Sequence, residues 1–257
     1  MFIAPISDLK KSFFETGYLT SIMVTNIISN LRHSFLAVKI MSNPVIEVIN
    51  KRISVRSYKT KPIPKDIIST IIEAGNKAPG SGDEEEIEIE GKKKKIFSFQ
   101  PWRFVVVENP EFKQKLVKTT FPIWKQFTEN MKETHPEMYQ HVMKNYEVMD
   151  DPKDMVYYNA PTILFVIGPA GCDVSCALAC ENIMIAATSI GLGSCYVGFG
   201  AMVKGDVDIV QALELTDNER IFGPIVLGYP KVNPNKKQVR ILEELRSKKK
   251  EPTIKWI

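Results

Sequence analysis

Residues 172–190 read CDVSCALACENIMIAATSI, and residues 191–199 follow at once as GLGSCYVGF. The first stretch is apolar almost all round at helical spacing, so it predicts a central helix rather than a surface one. Gly191 and Gly193 then end the helix and allow a sharp turn into a short strand over Ser194–Phe199. Gly198 lets backbone approach a flat ligand closely. The turn is not a Walker phosphate loop, because no Gly-Lys-Ser/Thr follows. A central helix feeding a strand places these residues inside a fold with helices and sheet together.

Further apolar runs surround this centre. Trp102–Val107 and Thr162–Ile167 read as buried strands, and Pro224–Leu227 as another. Glu111–Lys132 and Pro136–Val148 read as helices rich in aromatics. Pro64–Lys77 carries Ile67, Ile68, Ile71, Ile72 and Ala74 at helical spacing. A helix also starts after Met41, where Asn43 can cap it and Pro44 suits the first position. A working domain over 41–257 is therefore expected, with 1–40 either an extension or a stretch outside the translated protein. Residues 1–40 lack the basic-then-apolar pattern of a signal peptide.

Between Pro79 and Gln100 lies a charged insert over residues 83–95. Six acidic residues precede Gly91 and four lysines follow it. The alternation Glu86-Ile87-Glu88-Ile89-Glu90 predicts a strand that Gly91 turns back, setting carboxylates against ammoniums. It reads as a surface insert or as a partner-docking loop.

Three more motifs carry chemistry. Arg52, Ser54 and Arg56 alternate, so on an extended segment they share one side. They form either a site for a phosphate or electron-rich ring edge, or a solvated strand end. Gln100-Pro101-Trp102 leads into a strand, where the amide can hydrogen-bond a heterocycle edge or simply mark a strand entry. Gly228-Tyr229-Pro230, followed by Lys236, Lys237 and Arg240, is either a phosphate closure or a solvated basic loop.

Composition narrows the partners. The 257 residues are 44% hydrophobic and 25% charged, with 34 basic against 30 acidic side chains, a net charge of +4. That excess is too small for a basic nucleic-acid face. No window supplies the ~18 to 20 uninterrupted apolar residues of a membrane span. The four cysteines, Cys172, Cys176, Cys180 and Cys195, crowd into one part of the chain, which fits a reducing, cytoplasmic setting better than a disulfide framework. Cys172, Cys176 and Cys180 share a helix face. They read as small packed thiols, with a metal or redox sensor as the alternative, and no metal site is assigned. His33, His135 and His141 show no metalloprotease spacing. His135 and His141 lie in the helical excursion, where a proton-donor role is open.

In this order and spacing the four motifs resemble the nitroreductase family, over about four fifths of the chain from Met41 to Arg240. The resemblance implies an α+β, three-layer fold, with a mixed, mostly antiparallel sheet flanked by helices. It implies an intimate homodimer with shared active sites and FMN in each interface cleft. The central helix would lie in the dimer core, and the 241–257 tail would wrap the partner subunit. Arg52 and Ser54 would serve the FMN phosphate and ribityl end, and Arg56 the pyrimidine edge of the ring. Gln100 would hydrogen-bond the ring, and Tyr196, Val197 and Gly198 would line it with backbone amides. Lys237 and Arg240 would complete the phosphate clamp. Ser98 stands where the family usually has Asn, and the 83–95 insert lengthens a short family connection. Both departures fall at the rim of the cleft and bear on substrate preference.

The implied reaction is ping-pong. NADH or NADPH would give hydride to flavin N5, and a small acceptor such as a nitroaromatic or quinone would then take it. No catalytic acid or base is assigned, because the cofactor carries the chemistry. Reductive dehalogenation or flavin fragmentation is the alternative within the family. No dinucleotide fingerprint is present to separate NADH from NADPH.

Overall fold

The computed structural model describes residues 43–80, 83–89, 91–98, 100–149, 153–231 and 253–256, without the side chains of 83–87, 89 and 96–98. The chain divides into two units, Met1–Lys51 and Arg52–Ile257. In the first, α1 spans Pro44–Lys51. The Asn43 side chain accepts from the Val45 amide at 2.9 Å, so the capping expected from sequence forms.

In the second unit the elements run α2 (Lys65–Asn76), β1 (Asp83–Ile89), β2 (Lys92–Ser98), β3 (Arg103–Val107), α3 (Pro110–Thr134) and α4 (Pro136–Glu147). There follow β4 (Thr162–Pro169), α5 (Asp173–Ser189), β5 (Gly193–Tyr196), α6 (Val207–Ala212), β6 (Glu219–Ile221) and β7 (Ile225–Gly228). The main sheet has the order β3-β4-β7-β5, with β6 also paired to β4. All these strand pairs are antiparallel. The parallel component is a bridge between Ser54 and Ser194.

β4 explains the layering. Its residues from Thr162 to Ile167 are all buried, so both faces must be covered. Ile163, Phe165 and Ile167 pack with Leu116 and Trp124 of α3 and Ile209 of α6. Leu164 and Val166 point the other way, to Ile68 and Ile71 of α2 and Cys176, Ala179 and Ile183 of α5. The sheet therefore separates two cores, and the fold is the expected helix–sheet–helix α+β arrangement.

Two strand expectations change. The third strand begins at Arg103, and only its last residue, Val107, is buried, because β3 lies at the end of the sheet path. The strand expected over Ser194–Phe199 stops at Tyr196, and Gly198–Ala201 forms a 3-10 turn. The Tyr157 hydroxyl donates to the Gly200 carbonyl at 3.0 Å and holds that turn in place. β6 and α6, three and six residues long, are too short to be visible as periodic runs.

The charged segment forms a hairpin. β1 and β2 pair antiparallel, with Glu86 opposite Lys95 and Glu88 opposite Lys93. Gly91 has φ 75°, the left-handed value that its turn requires.

Truncating the shared strand should be costly. Phe165→Ala is expected to lower unfolding free energy by roughly 3–5 kcal/mol, read by urea denaturation. The same change at exposed Phe127 should cost well under half of that.

Candidate active site

The segment after α1 runs beside the end of the sheet. The Val55 amide donates to the Ser194 carbonyl at 2.9 Å, the Lys59 amide to the Tyr229 carbonyl at 2.8 Å, and the Lys231 amide to the Ser57 carbonyl at 3.0 Å. The Tyr58 hydroxyl donates to the Val55 carbonyl, bracing the segment from within. Gly193 has a steric task here, since a Cβ on it would meet the Val55 side chain at 2.8–2.9 Å. The Arg52–Tyr58, Gly191–Phe199 and Gly228–Pro230 motifs thus come together at β5 and the end of β7.

Arg52 is mostly buried, and its Nε lies 3.5 Å from the Glu181 carboxylate on α5. Ser54 adjoins Ser194, whose hydroxyl is buried with no hydrogen-bond partner among the described residues. Arg56 is exposed, with its guanidinium carbon 5.9 Å from the centroid of the Tyr158 ring. Cys195 is buried beneath this group. Burial raises its thiol, while Arg56, Ser54 and Arg52 pull the other way. Tyr196 is partly exposed, and its hydroxyl donates to the Phe222 carbonyl. At Gly198, an added Cβ would have nothing within 4 Å, so the space above it is open.

The Gln100-Pro101-Trp102 motif stands apart. Gln100 is exposed and precedes β3, three strands from β5 along the sheet, roughly 14 Å at ~4.8 Å per strand. Trp102 is buried, and its Nε1 donates to Asn76 Oδ1 at 3.0 Å, so this motif also serves the core. Ser98 closes β2, and its side chain lies outside the described residues, as do Lys237, Arg240 and His33. His135 sits at the α3–α4 junction, with Nδ1 3.0 Å from the Thr134 hydroxyl.

One element escaped the sequence reading. Asp154 is buried, and its carboxylate accepts from the amides of Val156, Tyr157 and Asn159 at 3.0, 2.7 and 3.0 Å. Tyr158 and Asn159 follow with φ of 57° and 51°. An Asp followed closely by Asn-Ala-Pro is a turn signal that could have marked it. A cleft of about 450 Å³ opens on this turn, lined by Lys113, Val117, Asp154, Tyr157 and Ile163 among others. None of the residues selected from sequence lines it. Lys113 there donates to the carbonyls of Ala160 and Pro161, at 3.2 and 2.8 Å. Lys113 and Asp154 are thus engaged in holding the turn, and the arginine cluster is the stronger candidate site.

The sequence profile of the nitroreductase family matches residues 49–229. The chain belongs to the nitroreductase family. A protein provisionally named NADH dehydrogenase/NAD(P)H nitroreductase from Methanothermobacter thermautotrophicus is 26% identical over 207 residues, 76% of this chain and 82% of that protein. The crystal structure of a nitroreductase with bound FMN from Bacteroides fragilis superposes with a TM-score of 0.53 at 24% identity, covering 83% of this chain and 96% of the other. An iodotyrosine deiodinase bound to FMN and 3-iodo-L-tyrosine gives 0.54 at 20% identity, again over 83% and 96%. These nitroreductase and deiodinase structures share the fold described above.

The cysteines on α5 are packed thiols. Burial pushes Cys176 and Cys180 up to about 12 from an ordinary value near 9. A thiol raised on folding favours the folded state below its ordinary value, and that contribution disappears as pH climbs toward 12. Stability should therefore fall between about pH 9 and 12, and Cys176→Ala with Cys180→Ala should flatten the fall. At pH 8 neither thiol should react with a disulfide reagent until the protein is unfolded.

Proposed function

We propose that this chain is an FMN-dependent oxidoreductase that passes hydride from NADH or NADPH to a small acceptor such as a nitroaromatic or quinone. The observation that carries the reading is the seating of the Arg52–Arg56 segment against β5, through the Ser54–Ser194 bridge and the bond from the Val55 amide to the Ser194 carbonyl. Two guanidinium groups and a hydroxyl suit a phosphate and a ring edge that gains negative charge. The open space over Gly198 suits a flat ring laid against backbone. Residues and space both fit FMN, as do the FMN-bound relatives.

When bound, FMN supplies hydride transfer at its N5 atom. The chain's own residues bind and orient. Arg52 and Ser54 hold the phosphate and ribityl end, with Lys237 and Arg240 completing the clamp. Arg56 places positive charge at the pyrimidine edge, where charge gathers on reduction. Tyr196, Val197 and Gly198 line the ring, although the Val197 amide is itself taken by the Pro224 carbonyl at 2.9 Å and so does not donate to it, and Gln100 and Ser98 stand at the rim. Donor and acceptor use one cleft in turn, the ping-pong order.

A homodimer belongs to the same reading. α5 packs against β4 and α2 on one side, yet Val174 and Leu178 remain 74% and 41% exposed. A second copy over that face would bury them, and the tail with exposed Ile254 and Trp256 would wrap that copy. Leu178→Glu should then shift the protein toward monomer in sedimentation velocity.

The purified protein should show flavin absorption near one FMN per subunit. NADH or NADPH should bleach it without oxygen, and a nitroaromatic or quinone should restore it. Arg52→Ala should weaken FMN binding roughly tenfold or more, as loss of a charged hydrogen bond does. Gly198→Ala should keep the folded stability but also weaken FMN binding. Flavin that no nicotinamide bleaches would instead indicate another flavin reaction, such as reductive dehalogenation. A colourless protein after FMN is offered would refute the assignment.

A further inference from the structure

We propose that the Asp154–Asn159 turn is the positioning element of the flavin-ring site, with Tyr158 setting the place of the Arg56 guanidinium. The inference rests on the FMN reading, and it concerns residues that the family motifs do not include.

The backbone first demands an explanation. Tyr158 and Asn159 both occupy the left-handed region, at φ 57° and 51°. Asn tolerates that region, whereas a bulky Tyr adopts it only under strain. Such strain persists only where the surroundings over-determine it. Here the surroundings do so through Asp154. Its buried carboxylate binds three amides of the turn, and its backbone carbonyl accepts from the Tyr158 amide at 3.1 Å. Burial raises the Asp154 carboxyl, and the amides oppose that rise. A carboxylate has therefore been taken from water for the sake of one loop conformation.

That conformation presents two tyrosines to two parts of the site. Tyr157 is fully buried, and its hydroxyl donates to Gly200 in the 3-10 turn that begins at Gly198. Tyr158 turns its ring toward Arg56, with the guanidinium carbon 5.9 Å from the ring centroid. Burial raises the Tyr158 hydroxyl, and Arg56 opposes that rise. Arg56 is otherwise a long, exposed side chain with much rotamer freedom to lose. A cation that must sit at one edge of a ring gains from a fixed aromatic seat. Asp154 and Tyr158 touch neither cofactor nor substrate in this scheme; they act through Arg56.

The test is the midpoint potential of protein-bound FMN in a double-mutant cycle. Tyr158→Asn keeps a residue suited to left-handed backbone and removes the ring. It should weaken the preference for reduced over oxidised flavin roughly three- to tenfold, a shift of about 15 to 30 mV to more negative potential at ~29.6 mV per tenfold. Tyr158→Phe keeps the packing and should shift the same way by less. Arg56→Gln should also shift the potential negative, and Tyr158→Asn added to it should shift it no further. A general structural role for Tyr158 would give the same shift in both backgrounds, and that result overturns the proposal. So does an unchanged potential in Tyr158→Asn when Arg56→Gln has moved it. An unchanged potential in Arg56→Gln itself removes Arg56 from the ring edge, and the proposal falls with that assignment. If wild-type protein takes up no FMN, the proposed function fails first.

Discussion

The structure depends on a single strand that must be dry on both faces. β4 buries every residue from Thr162 to Ile167, so neither side of the sheet can be left to water. α3 and α6 cover one side, and α2 and α5 cover the other. The strand order follows from the same demand, since the most apolar strands lie inside and half-buried β3 lies at an end. With both faces filled by helices, a ligand site has to form at the margins of the sheet. The Arg52–Tyr58 segment lies there, bridged to β5 and the end of β7.

Electrostatics at that margin are divided between open and closed groups. Arg56 stays exposed, Arg52 is steadied by Glu181, and Cys195 lies closed beneath them as a raised thiol. Asp154 and the tyrosines after it supply the rigid frame, and their charge and strain are met locally by backbone amides. Cations are thus held where an anion can reach them, while the costly buried carboxylate serves only the chain's own fold.

Much of this was legible in the residues. The all-round apolarity of 172–190, the continuous run at 162–167 and the Asn43-Pro44 start each follow from a local periodicity or cap. The opposed charges around Gly91 likewise led to the paired hairpin. β3 is less buried than its apolar run suggests, because such a run reads alike at the centre or the end of a sheet. The strand that the residues suggest over 194–199 ends at Tyr196, because Tyr157 holds Gly200 from a distant part of the chain.

By itself, the sequence determined the layered class, the main helices, the hairpin and the family, since these follow from short-range pattern and ordered motifs. The tertiary structure alone decided which motifs meet. It set Arg52–Tyr58 beside Ser194 and Tyr229, left Gln100 at a distant strand, and placed Tyr158 under Arg56. The physical reason is that strand order and a strained turn are settled by long-range packing and buried hydrogen bonds. Neither leaves a period in the sequence.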